Sequence, residues 1–191
     1  MVTQPIATGK VESLCINGEQ RQEICFWEGG PRGDTHAAGS TRTLSGHDSK
    51  YIQTSSLPRG ARVFNWRSWT GLSTEEMIEV GKELGVGIPQ GCLLENITVS
   101  GIPHFSNLAP TTRLVFPFRE NFSYGNQLIL AVWEQNGPCR TVGDRLARHY
   151  GRPELMTKFV NAAKNKRGVM GIVLAPGLAK VGDVVSVYPP V

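Results

Sequence analysis

A mainly β fold, a closed or nearly closed barrel with a few short peripheral helices, is what this 191-residue sequence predicts. Three observations carry the prediction. Short runs of β-branched and aromatic residues recur along the chain, most of them bounded by Gly, Pro or Asn. The 22 glycines and 12 prolines are spread out, as a turn-rich chain requires. Only two stretches have helical periodicity. Eight or so short strands leave unpaired edges unless the sheet closes, and closure favours a barrel over an open sheet.

In chain order the strand-type runs are Lys10 to Asn17, Ile24 to Glu28, Arg62 to Trp66 and Asn96 to Ser100, followed by Arg113 to Phe118, Leu128 to Glu134, Val169 to Leu174 and Val184 to Tyr188. The first helix is signed at both ends. Ser73 stands as N-cap with Glu76 three residues on as its capping-box partner, Leu72 and Met77 form a hydrophobic staple, and Gly85 terminates the run. The second helical region spans Thr141 to Lys164 and breaks near Gly151-Arg152-Pro153, because Pro153 fits a first helical turn and then places Leu155, Phe159 and Ala162 on one face. The stretch from Gly29 to Ser56 is rich in Gly, Ser, Thr and His and reads as a long loop, which in a compact domain is usually functional or mobile.

Length and composition bound the function. At 20.9 kDa the chain is one domain, residues 1–191. A hydrophobic fraction of 40% against 19% charged excludes a disordered chain. No apolar run approaches the roughly 18 residues that span a bilayer, and the start lacks a signal peptide's charged and apolar regions, so a soluble, cytoplasmic protein is expected, without a membrane partner. The net charge of +4 is too small for a nucleic-acid coat, and no RNA-binding aromatic signature is present. Its distribution is uneven: between Arg140 and Arg167 eight basic residues face only Asp144 and Glu154, a local 8 minus 2, or +6. That stretch is either an anion-binding surface, which would leave an anion- or nucleic-acid-binding module as the last-ranked function, or a solvated helix face.

The four cysteines, Cys15, Cys25, Cys92 and Cys139, show neither CxxC spacing nor a disulfide framework. Cys15 and Cys25 sit inside apolar runs, and Cys92 just ahead of a strand, which suits core positions. Cys139 differs, since it follows Gly137-Pro138 at a strand-to-helix corner. A helix N-terminus with Arg140 and Arg145 close in sequence would favour a thiolate there, although an inert buried cysteine is the alternative. The four histidines, His36, His47, His104 and His149, have no helical metal-site spacing. Asp34, His36 and Arg42 crowd into one loop with several hydroxyls, either an anion-binding loop or a solvated turn. Arg167-Gly168 opens a strand and Gly182-Asp183 precedes the last; glycine there serves either close approach of a ligand or a tight turn. Trp66 and Trp69 flank Arg67 and are either core or a stacking platform.

Four segments, in this order, carry a resemblance: GDTHAAG at Gly33 to Gly39, LLENITVSG at Leu93 to Gly101, NGPC at Asn136 to Cys139, and RGVMGIVLAPGLAKVGDVV at Arg167 to Val185. The set resembles the MOSC family, named for the C-terminal domain of molybdenum-cofactor sulfurase, with a motif-bearing part at about residues 33–188. Two departures stand out. Ala37-Ala38 adds a residue to the family's GDxHxG, and Leu94-Glu95-Asn96 replaces GEN.

The resemblance implies a β-barrel, a molybdopterin-type molybdenum cofactor and a functional cysteine at Cys139. It implies Asp34 and His36 as polar groups facing the pocket, Glu95 and Asn96 as support for its closing loop, and Arg42, Arg140 and Arg167 among the residues binding the cofactor, whose terminal phosphate needs cationic or N–H donors. Two activities follow. In one, Cys139 ligates molybdenum in an oxidoreductase acting on N-hydroxylated or related small substrates, with an external electron donor. In the other, Cys139 carries a persulfide received from a cysteine desulfurase and passes sulfur to a cofactor or metal–sulfur cluster.

Overall fold

A computed structural model describes residues 4–35, 39–45, 56–120, 122–123 and 125–190. Seven strands close a barrel. They are β1 (Ala7–Ile16), β7 (Trp69–Ser73), β8 (Ile97–Ser100), β9 (Arg113–Val115), β10 (Ile129–Gln135), β11 (Val169–Ala175) and β13 (Val184–Tyr188). Around the barrel the order is β1, β13, β9, β10, β11, β7, β8 and back to β1. Every pairing is antiparallel except β7 with β8, where Gly71 stands opposite Ile97. Closure is made by β13, which pairs with β9 through Val187 and Leu114 and with β1 through Val187 and Ala7. No edge of the seven is left open, which is how a small all-β domain removes exposed ladders.

The eight strand-type runs all contain strand, with Arg62 to Trp66 reduced to β6 (Arg62–Phe64), which pairs only with β5 (Thr41–Thr43). That pair occupies part of the stretch read as a long loop. Two short strands, β2 (Glu19–Arg21) and β4 (Gly30–Pro31), extend hairpins from β1 and from β3 (Glu23–Trp27). The strand β12 (Gly177–Lys180) pairs with β3 and completes a three-stranded sheet. Its Ala179, with Ile24 and Phe26 of β3, joins the barrel core of Val11, Leu14, Trp69, Val99, Leu130 and Val185. Burying each such aliphatic or aromatic side chain contributes about 1.5–3 kcal/mol.

Three short helices pack together against the β7 end. In α1 (Thr74–Leu84) Ser73 caps as expected, its Oγ accepting from the Glu76 N–H at 3.3 Å, and Gly85 closes the helix at φ 66°. The capping box is not reciprocal: the Glu76 carboxylate accepts instead from the Ser106 N–H and hydroxyl, at 3.0 and 2.6 Å. The second helical region divides at Gly151 into α2 (Arg140–Tyr150) and α3 (Leu155–Ala162). Leu155, Phe159 and Ala162 point inward with Leu72, Met77, Val80 and Leu146, forming a second apolar core. Among the described residues no helix is long and apolar enough to cross a membrane.

Candidate functional site

Where β10 hands the chain to α2, the strand ends at Gln135 and Asn136-Gly137-Pro138 make the corner. The corner is held from beneath, because the Asn136 N–H donates to the Gly168 carbonyl at 2.9 Å. Gly168 has φ 78°, and a Cβ there would lie 1.8 Å from the Gly71 carbonyl oxygen, so only glycine fits the approach of β11 to β7. Cys139 is the N-cap of α2, in extended conformation at φ −136° and ψ 160°. Its side chain makes no capping hydrogen bond, so the sulfur is not spent on the helix.

Cys139 is exposed, whereas Cys15 is buried and Cys25 and Cys92 are half-buried. Burial pushes the Cys15 thiol up to about 12, and burial also raises Cys25 and Cys92. A thiol pushed upward is held protonated and is a poor nucleophile. Accessibility therefore singles out Cys139; of the other three, read as core from sequence, Cys15 is in the core and Cys25 and Cys92 are only half-buried.

Cys139 opens onto a cleft of about 760 Å³. Asp34, Arg42, Asn96 and Arg167 line it, so these four sequence candidates and Cys139 share one cavity although they span more than a hundred positions. Arg42 sits 5.5 Å from the centre of the Trp66 ring. Trp69 belongs to the barrel core, and its indole N–H donates to the Ile172 carbonyl. Asn96 ties the cleft together. Its Nδ2 donates to Asp34 Oδ2 at 2.9 Å and its Oδ1 accepts from the Thr70 N–H at 2.9 Å. Asp34 Oδ2 also accepts from the Asn17 N–H at 3.3 Å, and Asn17 Nδ2 donates to the Gly33 carbonyl at 2.9 Å, which pins the Asp34 turn to β1.

Arg167 is the buried cation of the cleft, only 5% exposed. Its Nη2 donates to the Leu93 carbonyl at 2.7 Å, while Nε and Nη1 have no partner among the described residues. Burial lowers its pKa, and the charges of Glu95 and Cys139 push the other way. Guanidinium donors left without partners in a closed site cost free energy unless something accepts from them, and an anionic ligand is the natural acceptor.

The structure places two candidates, Glu95 and Arg140, elsewhere. Glu95 does not line this cleft: one carboxylate oxygen accepts the Gly91 N–H, the side chain is 2% exposed, and burial raises its pKa. Both residues precede β8, which begins at Ile97; Asn96 lines the cleft and Glu95 does not. Arg140 is exposed on the first turn of α2, whose Thr141 and Val142 face the cleft instead. His36 lies outside the described residues.

The basic stretch is largely paired. Arg145 donates to the Cys92 carbonyl at 3.0 Å, and Arg148, Arg152 and Lys166 form ion pairs with Asp144, Glu154 and Glu79 at 2.7–2.9 Å. From it only Arg167 lines the cleft.

Two charged lining residues were not candidates from sequence. Glu134 reaches the cleft because β10 bulges: Val132 pairs with Gly171 and Glu134 with Met170, so Trp133 is the extra residue and is thrown outward. Arg67, noted only for its flanking tryptophans, also lines the cleft. Among the described residues the lining charges are then three guanidinium groups against two carboxylates. Among the described residues no cluster of three or more His, Cys, Asp or Glu could hold a metal ion on its own.

Comparison with known proteins bears on this geometry. The family model of the MOSC domain matches residues 66–186. YuaD of Bacillus subtilis strain 168, whose name proposes a part in metal–sulfur cluster biosynthesis, is 30% identical over 190 residues, covering 95% of this chain and 91% of its own. The crystal structure of YuaD superposes with a TM-score of 0.81 at 29% identity, covering 95% of this chain and 96% of that one. YiiM from Escherichia coli shares the fold at a TM-score of 0.56 and 16% identity, with 98% of this chain and 72% of that chain covered.

Proposed function

The chain belongs to the MOSC domain family, and from that premise we propose that it is a sulfur carrier in which Cys139 holds a persulfide for metal–sulfur cluster assembly. The observation that carries the reading is that one exposed cysteine, whose side chain makes no capping hydrogen bond, shares a single cleft with the buried Arg167, two of whose nitrogens have no partner among the described residues. The name of YuaD supports the same assignment.

The chemistry balances without an external oxidant. The Cys139 thiolate attacks the outer sulfur of a donor cysteine persulfide. A new S–S bond forms at Cys139 as the donor's S–S bond breaks, and the donor thiolate leaves with the electron pair and takes up a proton from solvent. Delivery repeats the exchange, with an acceptor thiolate attacking the outer sulfur. Arg167 favours the anionic sulfur in both directions, and the N–H groups at the start of α2 add partial positive charge. Asn96 holds Asp34 at the cleft wall and keeps that wall in shape.

The test is loading followed by delivery. Incubation with a cysteine desulfurase and cysteine should add about one sulfur, ~32 Da, to the intact protein, and a thiol acceptor should then remove it. Failure of the protein to take up sulfur, or equal uptake by Cys139→Ser, overturns the proposal.

A second reading, binding of the molybdenum cofactor, is favoured by the size of the cleft and by the unpartnered donors of Arg167. The donor set fits: Cys139 would supply a soft ligand to the metal, and Arg42, Arg67 and Arg167 would meet its oxygen and phosphate groups. Once bound, that group supplies two-electron oxygen-atom transfer, the basis of an oxidoreductase. Metal analysis of the cofactor-reconstituted protein tests this reading, since molybdenum occupancy unchanged in Cys139→Ala would refute ligation.

A further inference from the structure

A second cavity, separate from the thiol cleft, has features that neither reading of Cys139 uses. After α1 ends at Gly85, the Val86 N–H returns to the Gly81 carbonyl at 3.0 Å and the chain runs back beside the helix. The Tyr150 hydroxyl donates to the Gly87 carbonyl at 3.0 Å, and Gln20 Nε2 donates to Gln90 Oε1 at 3.1 Å, so the returning segment is held at two points. Between helix and return lies a pocket of about 550 Å³, within the size range of small-molecule sites. Its walls include Leu72, Met77, Ile78, Val86 and Ile88.

Five polar side chains interrupt this apolar lining, Lys82 and Gln90 among them, and the other three each hold a buried oxygen with no partner among the described residues: Thr74 Oγ1, Glu95 Oε2 and Thr98 Oγ1. Glu95 and Thr98 are 2% and 6% exposed. Glu95 is already half satisfied by the Gly91 N–H, and Arg167 feels its charge but hydrogen-bonds to the Leu93 carbonyl. All three free oxygens can accept, one of them from a carboxyl group. An unpaired buried acceptor is costly, and a charged donor offsets that cost best.

We propose that this pocket binds a small primary amine, its ammonium head hydrogen-bonded to Glu95 and the threonine hydroxyls and its apolar body along Met77, Ile78 and Ile88. Burial raises the pKa of Glu95 although the Gly91 N–H and the charge of Arg167 pull it down, and an ammonium group hydrogen-bonded to its free oxygen would pull it down further. A neutral alcohol can donate one hydrogen bond but cannot balance the charge of the carboxylate, and an anionic carboxylate ligand would be repelled.

Titration of the isotope-labelled protein with n-butylammonium, n-butanol and butyrate, followed through the amide signals of Ile78 and Gly87, tests the proposal. The ammonium should give saturable shifts with at least about tenfold higher affinity than the alcohol, and butyrate none. Glu95→Gln should bring the ammonium down to the affinity of the alcohol. Lys82→Glu, at the rim, should strengthen ammonium binding several-fold and is the deciding variant if Glu95→Gln does not fold. Equal affinity for ammonium and alcohol, absence of saturation, or no gain in Lys82→Glu overturns the proposal. None of these readouts involves Cys139, so they can fail while sulfur loading succeeds.

Discussion

Replacing Asn96 with alanine should loosen the cleft and the barrel together, and its size can be worked from three contacts. Asn96 is 5% exposed. Its Oδ1 accepts from the Thr70 N–H at 2.9 Å, and its Nδ2 donates to Asp34 at 2.9 Å and more weakly to the Cys15 carbonyl at 3.4 Å. Loss of the acceptor leaves a half-buried backbone N–H unpaired, a cost of about 1–3 kcal/mol. The bond to Asp34 is charge-assisted but only partly buried and shared with Asn17, so it contributes about 1 kcal/mol. Asn96→Ala should therefore destabilise by roughly 2–4 kcal/mol, and at a urea dependence of about 2 kcal/mol/M the midpoint should fall by about 1–2 M. A double-mutant cycle with Asp34→Ala isolates the Asp34 bond. A midpoint shift below about 0.3 M, or strict additivity in the cycle, would refute the claim that Asn96 ties the Asp34 turn to the barrel.

Arg167→Met should separate reactivity from stability. Removing a buried cation with unpartnered donors is close to neutral for folding, within about 2 kcal/mol, whereas alkylation of Cys139 by iodoacetamide should slow several-fold; an unchanged rate argues against Arg167 assisting the sulfur. In the native protein a disulfide reagent should modify one thiol quickly and Cys15 only on unfolding, because burial holds that thiol near 12; rapid reaction of Cys15 contradicts its placement in the core. At Glu75 desolvation is the largest influence and pulls the carboxyl upward, but the Gly101 N–H and Ser73 hydroxyl together hold it below its ordinary value. A depressed folded-state pKa stabilises above the unfolded value near 4.5, and that contribution is lost as pH falls through the folded value. Glu75→Gln should thus lower the urea midpoint at neutral pH and match the native protein in acid, and an equal deficit at both pH values would contradict the assignment.

The barrel was legible in the sequence wherever a strand is a short apolar run rich in valine and isoleucine, as in Val169 to Leu174 or Val184 to Tyr188. β7 was not, because the last two residues of Trp69-Thr70-Gly71-Leu72-Ser73 also carry the signals of the helix that follows. The corner at Cys139 could be read from Gly137-Pro138 alone. Glu134 could not, since its entry into the cleft depends on a bulge against β11, a cross-strand event with no local mark. The contact of Asn96 with Asp34 joins residues 62 positions apart, and only the resemblance to a family drew attention to both. The same resemblance grouped Glu95 with Asn96, and the turn that leads into β8 separates them into different cavities.

The most direct measurement is peptide-mapped mass spectrometry of the desulfurase-treated protein, trapped with an alkylating reagent so that each of the four cysteines reports its own sulfur content. The account predicts an added sulfur on the peptide bearing Cys139 and unmodified sulfur at Cys15, Cys25 and Cys92. Added sulfur at Cys92 or Cys25, or none at Cys139 while the desulfurase remains active, would contradict it.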